Sequence, residues 1–326
     1  MLPTIVVLPI LYTICSASLF IKRQHSADFT AIEDSDYHHC PNALEIENIK
    51  KDEFLDLEFL DGLCKNVAGV IRMRVSGNFY GVAEALFNKL PRLEEFQGND
   101  MTNLTELNLA TWNLRQIDFS RNNIEKVTIE FMDELVYLNL SRNKLSDENI
   151  VMTSMRPSLS LKLRTLDLSY NALTRIDTLY PFWNLRKFIL NDNRIAFIKP
   201  GILQKYPNLV TLNLARNKLY DLPIGMFTGL IHLVNLDLSH NRLNDTKIRI
   251  INSLRSLEFL DMIGNNIKDF NYDDLDHHLE VLRINDNHIY IHGKKVDLST
   301  KEAQKQKMVL LQWYHHNTFN YHEKYL

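Results

Sequence analysis

From residue 70 onward the apolar residues fall in one recurring order, L-x-x-L-x-L-x-x-N-x-L. Leucine is its usual occupant, and isoleucine, valine, phenylalanine or methionine stand in for it. The order is cleanest at Leu209, Leu212, Leu214, Asn217 and Leu219, and again at Leu233, Leu236, Leu238, Asn241 and Leu243. Further copies begin at Val70, Leu93, Leu114, Leu135, Leu163, Leu185, Leu257 and Leu279, which makes ten. Successive starts lie 23, 21, 21, 28, 22, 24, 24, 24 and 22 residues apart, a spacing that marks a repeat architecture.

The alternating L-x-L core of each copy predicts a short strand whose leucines point inward while the residues between them point out. One unit of this size cannot close a core by itself, so neighbours must stack, and stacking sets the strands side by side in a parallel sheet. The pattern therefore predicts a solenoid of α/β class with its sheet on one face. Nine of the ten copies carry an asparagine after the strand: Asn78, Asn122, Asn143, Asn171, Asn193, Asn217, Asn241, Asn265 and Asn287. An amide there can both donate to and accept from backbone groups left open by a turn. Two irregularities stand out. The copy at Leu93 has Gly98 at an apolar position and Met101 in place of asparagine, and the 28-residue spacing predicts that Ser146 to Lys162 bulges from the array.

These residues resemble the extracellular, typical-type leucine-rich-repeat family. In that branch the strand motif is followed by L-P-x-x-x-F-x-x-L, matched here by Leu222, Pro223, Phe227 and Leu230. The resemblance spans about residues 70–290. It implies a curved horseshoe with strands on the concave side, where macromolecules bind. Within the branch the chain is similar to insect leucine-rich-repeat immune proteins, in its secretion signal and irregular repeats; it departs from them in lacking cysteines after the last repeat and a coiled coil.

The flanks divide into residues 1–17 as a signal peptide, 18–39 as a flexible leader, 40–69 as an N-terminal cap, 70–290 as the repeats and 291–326 as a C-terminal cap helix and tail. Leu2 to Phe20 is an apolar run, with a small-x-small pattern favouring cleavage after Ala17 and Ser18 as the neighbouring choice. The alternative is a retained anchor, since about twenty apolar residues can span a bilayer. Removing Cys15 with the signal leaves Cys40 and Cys64, an even pair expected to form a disulfide, or two free thiols if the protein is cytosolic. At the far end Ser299 and Glu302 have capping-box spacing ahead of a helix at about 301–314, whose inner face would carry Ala303, Val309, Leu310 and Trp313.

A formal charge of -3 and a pI near 6.5 create no field favouring nucleic acid or an anionic membrane. No phosphate loop, H-E-x-x-H or nucleophile elbow occurs, and adjacent histidines such as His277 and His278 would point to opposite faces of a strand, so neither an enzyme, a cofactor nor a metal site is expected. Outward positions instead carry an acidic column, Asp118, Asp167, Asp237 and Asp261, and larger residues suited to contact: Tyr137, Arg142, Arg164, Tyr170, Arg186, Lys187, Arg216 and Phe259. Three sequons, at Asn103, Asn139 and Asn244, would accept glycans on a secreted chain. The expectation is a secreted recognition module, without catalysis, for a protein or microbial-surface ligand, in innate immunity, with oligomerisation open. The alternatives are a matrix or adhesion component and an intracellular scaffold that regulates an enzyme.

Overall fold

The computed structural model describes residues 69–268 and 279–284, apart from breaks at 83–86, 88–89, 102, 111–112, 131, 155–160 and 245–247, together with 18–23, 43–55, 287, 290–291 and 294–295. Twelve parallel strands form one sheet in strict chain order. Nine are the repeat strands Glu95–Met101, Gln116–Asp118, Tyr137–Asn139, Thr165–Asp167, Lys187–Ile189, Thr211–Asn213, Asn235–Asp237, Phe259–Asp261 and Val281–Arg283. Ahead of them come Ser18–Arg23, Ala43–Leu55 and Arg72–Val82, of which the last belongs to the first repeat. Ser18–Arg23 thus takes strand form at the head of what reads as a leader, pairing in parallel with Ala43–Asn48.

Each repeat strand shows the alternation its sequence demands, with the central residue buried and its neighbours half-buried. Leu166, Phe188, Leu212, Leu236 and Leu260 stand directly opposite one another along the stack. They belong to a single core that runs from Leu44 to Ile284. Fully burying one such side chain contributes about 1.5–3 kcal/mol, so the stack supplies what no single repeat has.

The asparagines close the turns. Asn217 donates from Nδ2 to the carbonyls of Leu190 (2.9 Å), Leu214 (3.1 Å) and Ala215 (3.2 Å), and its Oδ1 accepts the amide of Ile195 at 3.0 Å. One side chain therefore serves its own turn and the preceding repeat together. The same arrangement recurs at Asn122, Asn143, Asn171, Asn193, Asn241 and Asn265. Where Met101 replaces the asparagine, its side chain is buried instead, and its amide is taken by Asn122 Oδ1 at 2.6 Å. Gly98 has a packing reason: a β-carbon there would stand 2.6 Å from Cε1 of Phe119, whose ring stacks on Phe96 with centroids 5.2 Å apart.

The long spacing leaves the sheet undisturbed. Tyr137–Asn139 pairs with Thr165–Asp167 residue for residue. The added length runs behind, where Ile150–Met152 joins Glu106–Ala110 and Lys126–Glu130 in a second, three-stranded sheet. Asp147 fastens this segment to the next repeat by accepting the amides of Thr174 (2.8 Å) and Arg175 (3.1 Å) and the Thr174 hydroxyl. Elsewhere the described connections are turns and short 3-10 helices, such as Ile202–Lys205 and Ile248–Ser253, so the helical share of the α/β expectation is small. The signal peptide, the Cys40–Cys64 pair, the capping box, the helix at 301–314 and the histidine pairs at 38–39, 277–278 and 315–316 lie outside the described residues. No described helix is long and apolar enough to cross a membrane.

Candidate functional site

The in-register sheet turns each outward sequence position into a row across the strand face. One row reads Tyr137, Thr165, Lys187, Thr211, Asn235, Phe259 and Val281. Two residues further along each strand lies a second row of Asn139, Asp167, Ile189, Asn213, Asp237, Asp261 and Arg283, headed by Asp118.

Most of the second row has a structural duty. The Oδ1 atoms of Asp118, Asn139, Asp167, Asn213, Asp237 and Asp261 each accept the amide two residues ahead, at 2.8–3.0 Å. The side chain thereby caps the strand exit, as Asx residues do in turns. Ile189 is the exception, and its strand has no such cap. The D-x-S spacing of Asp118 and Ser120, Asp167 and Ser169, and Asp237 and Ser239 is the sequence signal for this role.

The residue before each turn asparagine adopts left-handed backbone. Arg121, Arg142, Tyr170, Asp192, Arg216 and His240 have φ of 52–59°, and Gly264 follows at 66°. Their amides continue the ladder, as in Arg142 to Ser169 O (2.9 Å) and Tyr170 to Asn191 O (2.9 Å). A left-handed turn throws these side chains to the margin of the face. There the Arg142 guanidinium lies 4.0 Å from the Tyr170 ring centroid, and Arg121 bridges to Asp100 at 2.8 Å.

Of the expected contact residues, Arg142, Arg164, Tyr170, Arg186 and Arg216 are exposed, while Tyr137, Lys187 and Phe259 are half-buried. The fold gathers Tyr137, Arg142, Arg164, Tyr170, Arg186 and Lys187 onto three consecutive repeats. Phe259 stands apart, with Thr211 and Asn235 between it and Lys187. Burial, with Asp118 and Asp167 nearby, pushes the Tyr137 hydroxyl up, so it stays protonated. Burial also raises Asp167 above the usual carboxylate range, against the hydrogen bonds from Ser169 and the charge of Arg142. Asp261 is pushed up to about 6, again chiefly by burial, although Arg283 bridges to it at 2.9 Å.

The three sequons differ in surroundings. Asn103 and Asn244 are exposed, whereas Asn139 is half-buried in its strand and donates to Asp118 Oδ2 at 3.1 Å. Among the described residues no three histidine, cysteine or acidic side chains are grouped to hold a metal.

Residues 183–243 match the family model described as leucine rich repeat. Over 111 residues the chain is 38% identical to oligodendrocyte-myelin glycoprotein of Homo sapiens, covering 33% of this chain and 24% of that protein. Over 180 residues it is 32% identical to lumican of Coturnix japonica, covering 54% and 49%. The chain thus spans no more than about half the length of these curated relatives. Among solved structures, the receptor in the TLR13-ssRNA13 complex superposes with a TM-score of 0.53 at 22% identity, covering 77% of this chain and 43% of that one. That likeness is one of fold alone.

Proposed function

We propose that this chain, a leucine-rich-repeat solenoid of the extracellular type, is a secreted recognition protein. It holds a protein or other macromolecule against its concave strand face and carries out no catalysis. The observation that carries the reading is the exposed Arg142 and Tyr170 pair, beside Tyr137, on an outward surface that the core does not need. Arginine and tyrosine are the residue types that dominate binding energy at interfaces, and here the sheet pre-orders them.

The test is expression of the full chain in secreting cells. Protein recovered from the medium, lacking its first residues and with Cys40 joined to Cys64, should capture extracellular partners. Replacing Arg142 and Tyr170 together by alanine should abolish that capture, while Ile224→Ala, at an exposed site away from the strands, should not. A chain that stays in the cytosol with Met1 intact and both thiols reduced overturns the reading, as does capture indifferent to Arg142 and Tyr170.

A further inference from the structure

We infer that the middle of the concave face is a docking site for an acidic protein segment, seated on Arg164, Arg186 and Lys187. This rests on the concave-face reading above and specifies the chemistry of the partner.

The three cations are rooted together. The amides of Arg186 and Lys187 both donate to the carbonyl of Arg164, at 2.8 and 2.9 Å, so their side chains leave neighbouring rungs of the ladder about 4.8 Å apart. Arg164 and Arg186 are exposed and Lys187 is half-exposed. None of the three has an ion pair or side-chain hydrogen bond among the described residues. Other cations of the array are matched: Arg115 with Glu94 at 3.7 Å, Arg121 with Asp100 at 2.8 Å and Arg283 with Asp261 at 2.9 Å.

The surroundings explain why these stay unmatched. Along the row just ahead of the strands the residues are Glu94, Arg115, Val136, Arg164, Arg186, Val210, Val234, Glu258 and Glu280. The two central arginines are therefore flanked on both sides by valine. In the next row Lys187 lies between Thr165 and Thr211. At the exit of the Lys187 strand stands Ile189, where six of its counterparts carry aspartate or asparagine. The repeat bearing Lys187 has given up its strand cap, and with it the carboxylate nearest to that lysine. What remains is a patch of positive charge bordered by Val136, Val210 and Tyr137, with no acid inside it.

Two guanidinium forks side by side suit carboxylates, which they bind in bidentate geometry. A short acidic peptide with apolar residues between its carboxylates would place charge on the arginines and carbon on the valines. A long sulfated polysaccharide fits less well. Crossing the face, it would meet Asp118, Asp167, Asp192 and Asp237 along the opposite margin, and like charges brought together there oppose binding.

The experiment uses the full secreted chain and three fluorescent probes: the peptide Glu-Val-Glu-Val-Glu-Val, its glutamine counterpart, and a heparin hexasaccharide. Anisotropy at physiological ionic strength should show the glutamate peptide binding about tenfold more tightly than the glutamine peptide, the sum expected of three modest exposed charge pairs. Reversing Arg164, Arg186 and Lys187 to glutamate should remove that advantage, while Arg121→Glu with Arg216→Glu should leave it within about twofold. Ile189→Asp is the companion variant: it restores the missing cap, so the fold is kept, yet it places a carboxylate beside Lys187 and should weaken the glutamate peptide severalfold. Equal affinity for the two peptides overturns the inference. So does tighter binding of heparin that the same three reversals abolish. If partner capture depends on Arg142 and Tyr170 but not on this trio, the concave-face reading survives and the acidic-segment inference alone is wrong.

Discussion

The guanidinium of Arg142 lies over the ring of Tyr170, 4.0 Å from its centroid, although the two residues are separated by the longest spacing in the array. Their backbones meet because the amide of Arg142 donates to Ser169 O of the neighbouring repeat. A double-mutant cycle with Arg142→Ala and Tyr170→Ala, read by urea unfolding, should give a coupling of about 0.5–1 kcal/mol, as expected of an exposed cation over an aromatic face. Arg142→Lys should retain only part of it. A coupling indistinguishable from zero would mean that the pair does not stack in solution.

Asn217 offers the sharpest test of the turn ladder. Its replacement by alanine leaves the amide of Ile195 and the carbonyl of Leu190 without their cross-repeat partner in a buried setting. The loss should be about 1–3 kcal/mol for each group left unmet, measured as a drop in unfolding free energy. Asn217→Asp should be at least as costly, since it keeps the acceptor but sets a charge against carbonyls that need a donor. An unchanged midpoint would show that water replaces the side chain freely.

Stability should also depend on pH through Asp261. Burial holds its carboxyl at about 6 in the folded chain, against 3.8 for the ordinary group. The folded state therefore binds this proton more tightly than the unfolded state, and stability falls as pH rises from about 4 to about 6, staying lower above that. The difference is on the order of 2 kcal/mol. Asp261→Asn should flatten this dependence and stabilise the protein at pH 7, because Oδ1 still accepts the Ile263 amide as Asn139 and Asn213 do for theirs. Thermal melts of both proteins at pH 5 and pH 7 decide it, and a variant that is less stable at pH 7 would show that the bridge to Arg283 outweighs burial.

Gly98→Ala should cost about 1–3 kcal/mol by overpacking, because the new methyl meets the Phe119 ring at 2.6 Å. Adding Phe119→Leu to Gly98→Ala should recover part of the loss in chemical denaturation. If Gly98→Ala is neutral by itself, the ring is freer to shift than the stacked pair with Phe96 implies.

Periodicity carries much of this fold in plain view. Leu166, Leu190, Leu214 and Leu238 are buried as the L-x-L alternation requires, and Asn217 bonds as a turn asparagine should. The strand preceding the repeats at Ser18–Arg23 was not legible, because nothing in that segment shares the repeat period. The dual character of the aspartate column was hidden for a different reason. A residue such as Asp167 faces outward, as sequence alternation predicts, yet one of its oxygens turns back to its own chain, and only the backbone two residues ahead discloses that. Arg142 and Tyr170 share an offset within their repeats, but their contact needed the left-handed conformation to bring both side chains to the same margin.

The segment held by Asp147 shows where this architecture keeps its tolerance. Extra residues between Leu145 and Leu163 are stored behind the sheet while Thr165–Asp167 settles on Tyr137–Asn139 without a slip. The front is thus a ruled page of fixed pitch, about 4.8 Å per line, whatever the length of the margin notes. Insertions can accumulate at the back without moving a single letter, and the text that a partner reads can be revised one side chain at a time while the lines stay straight.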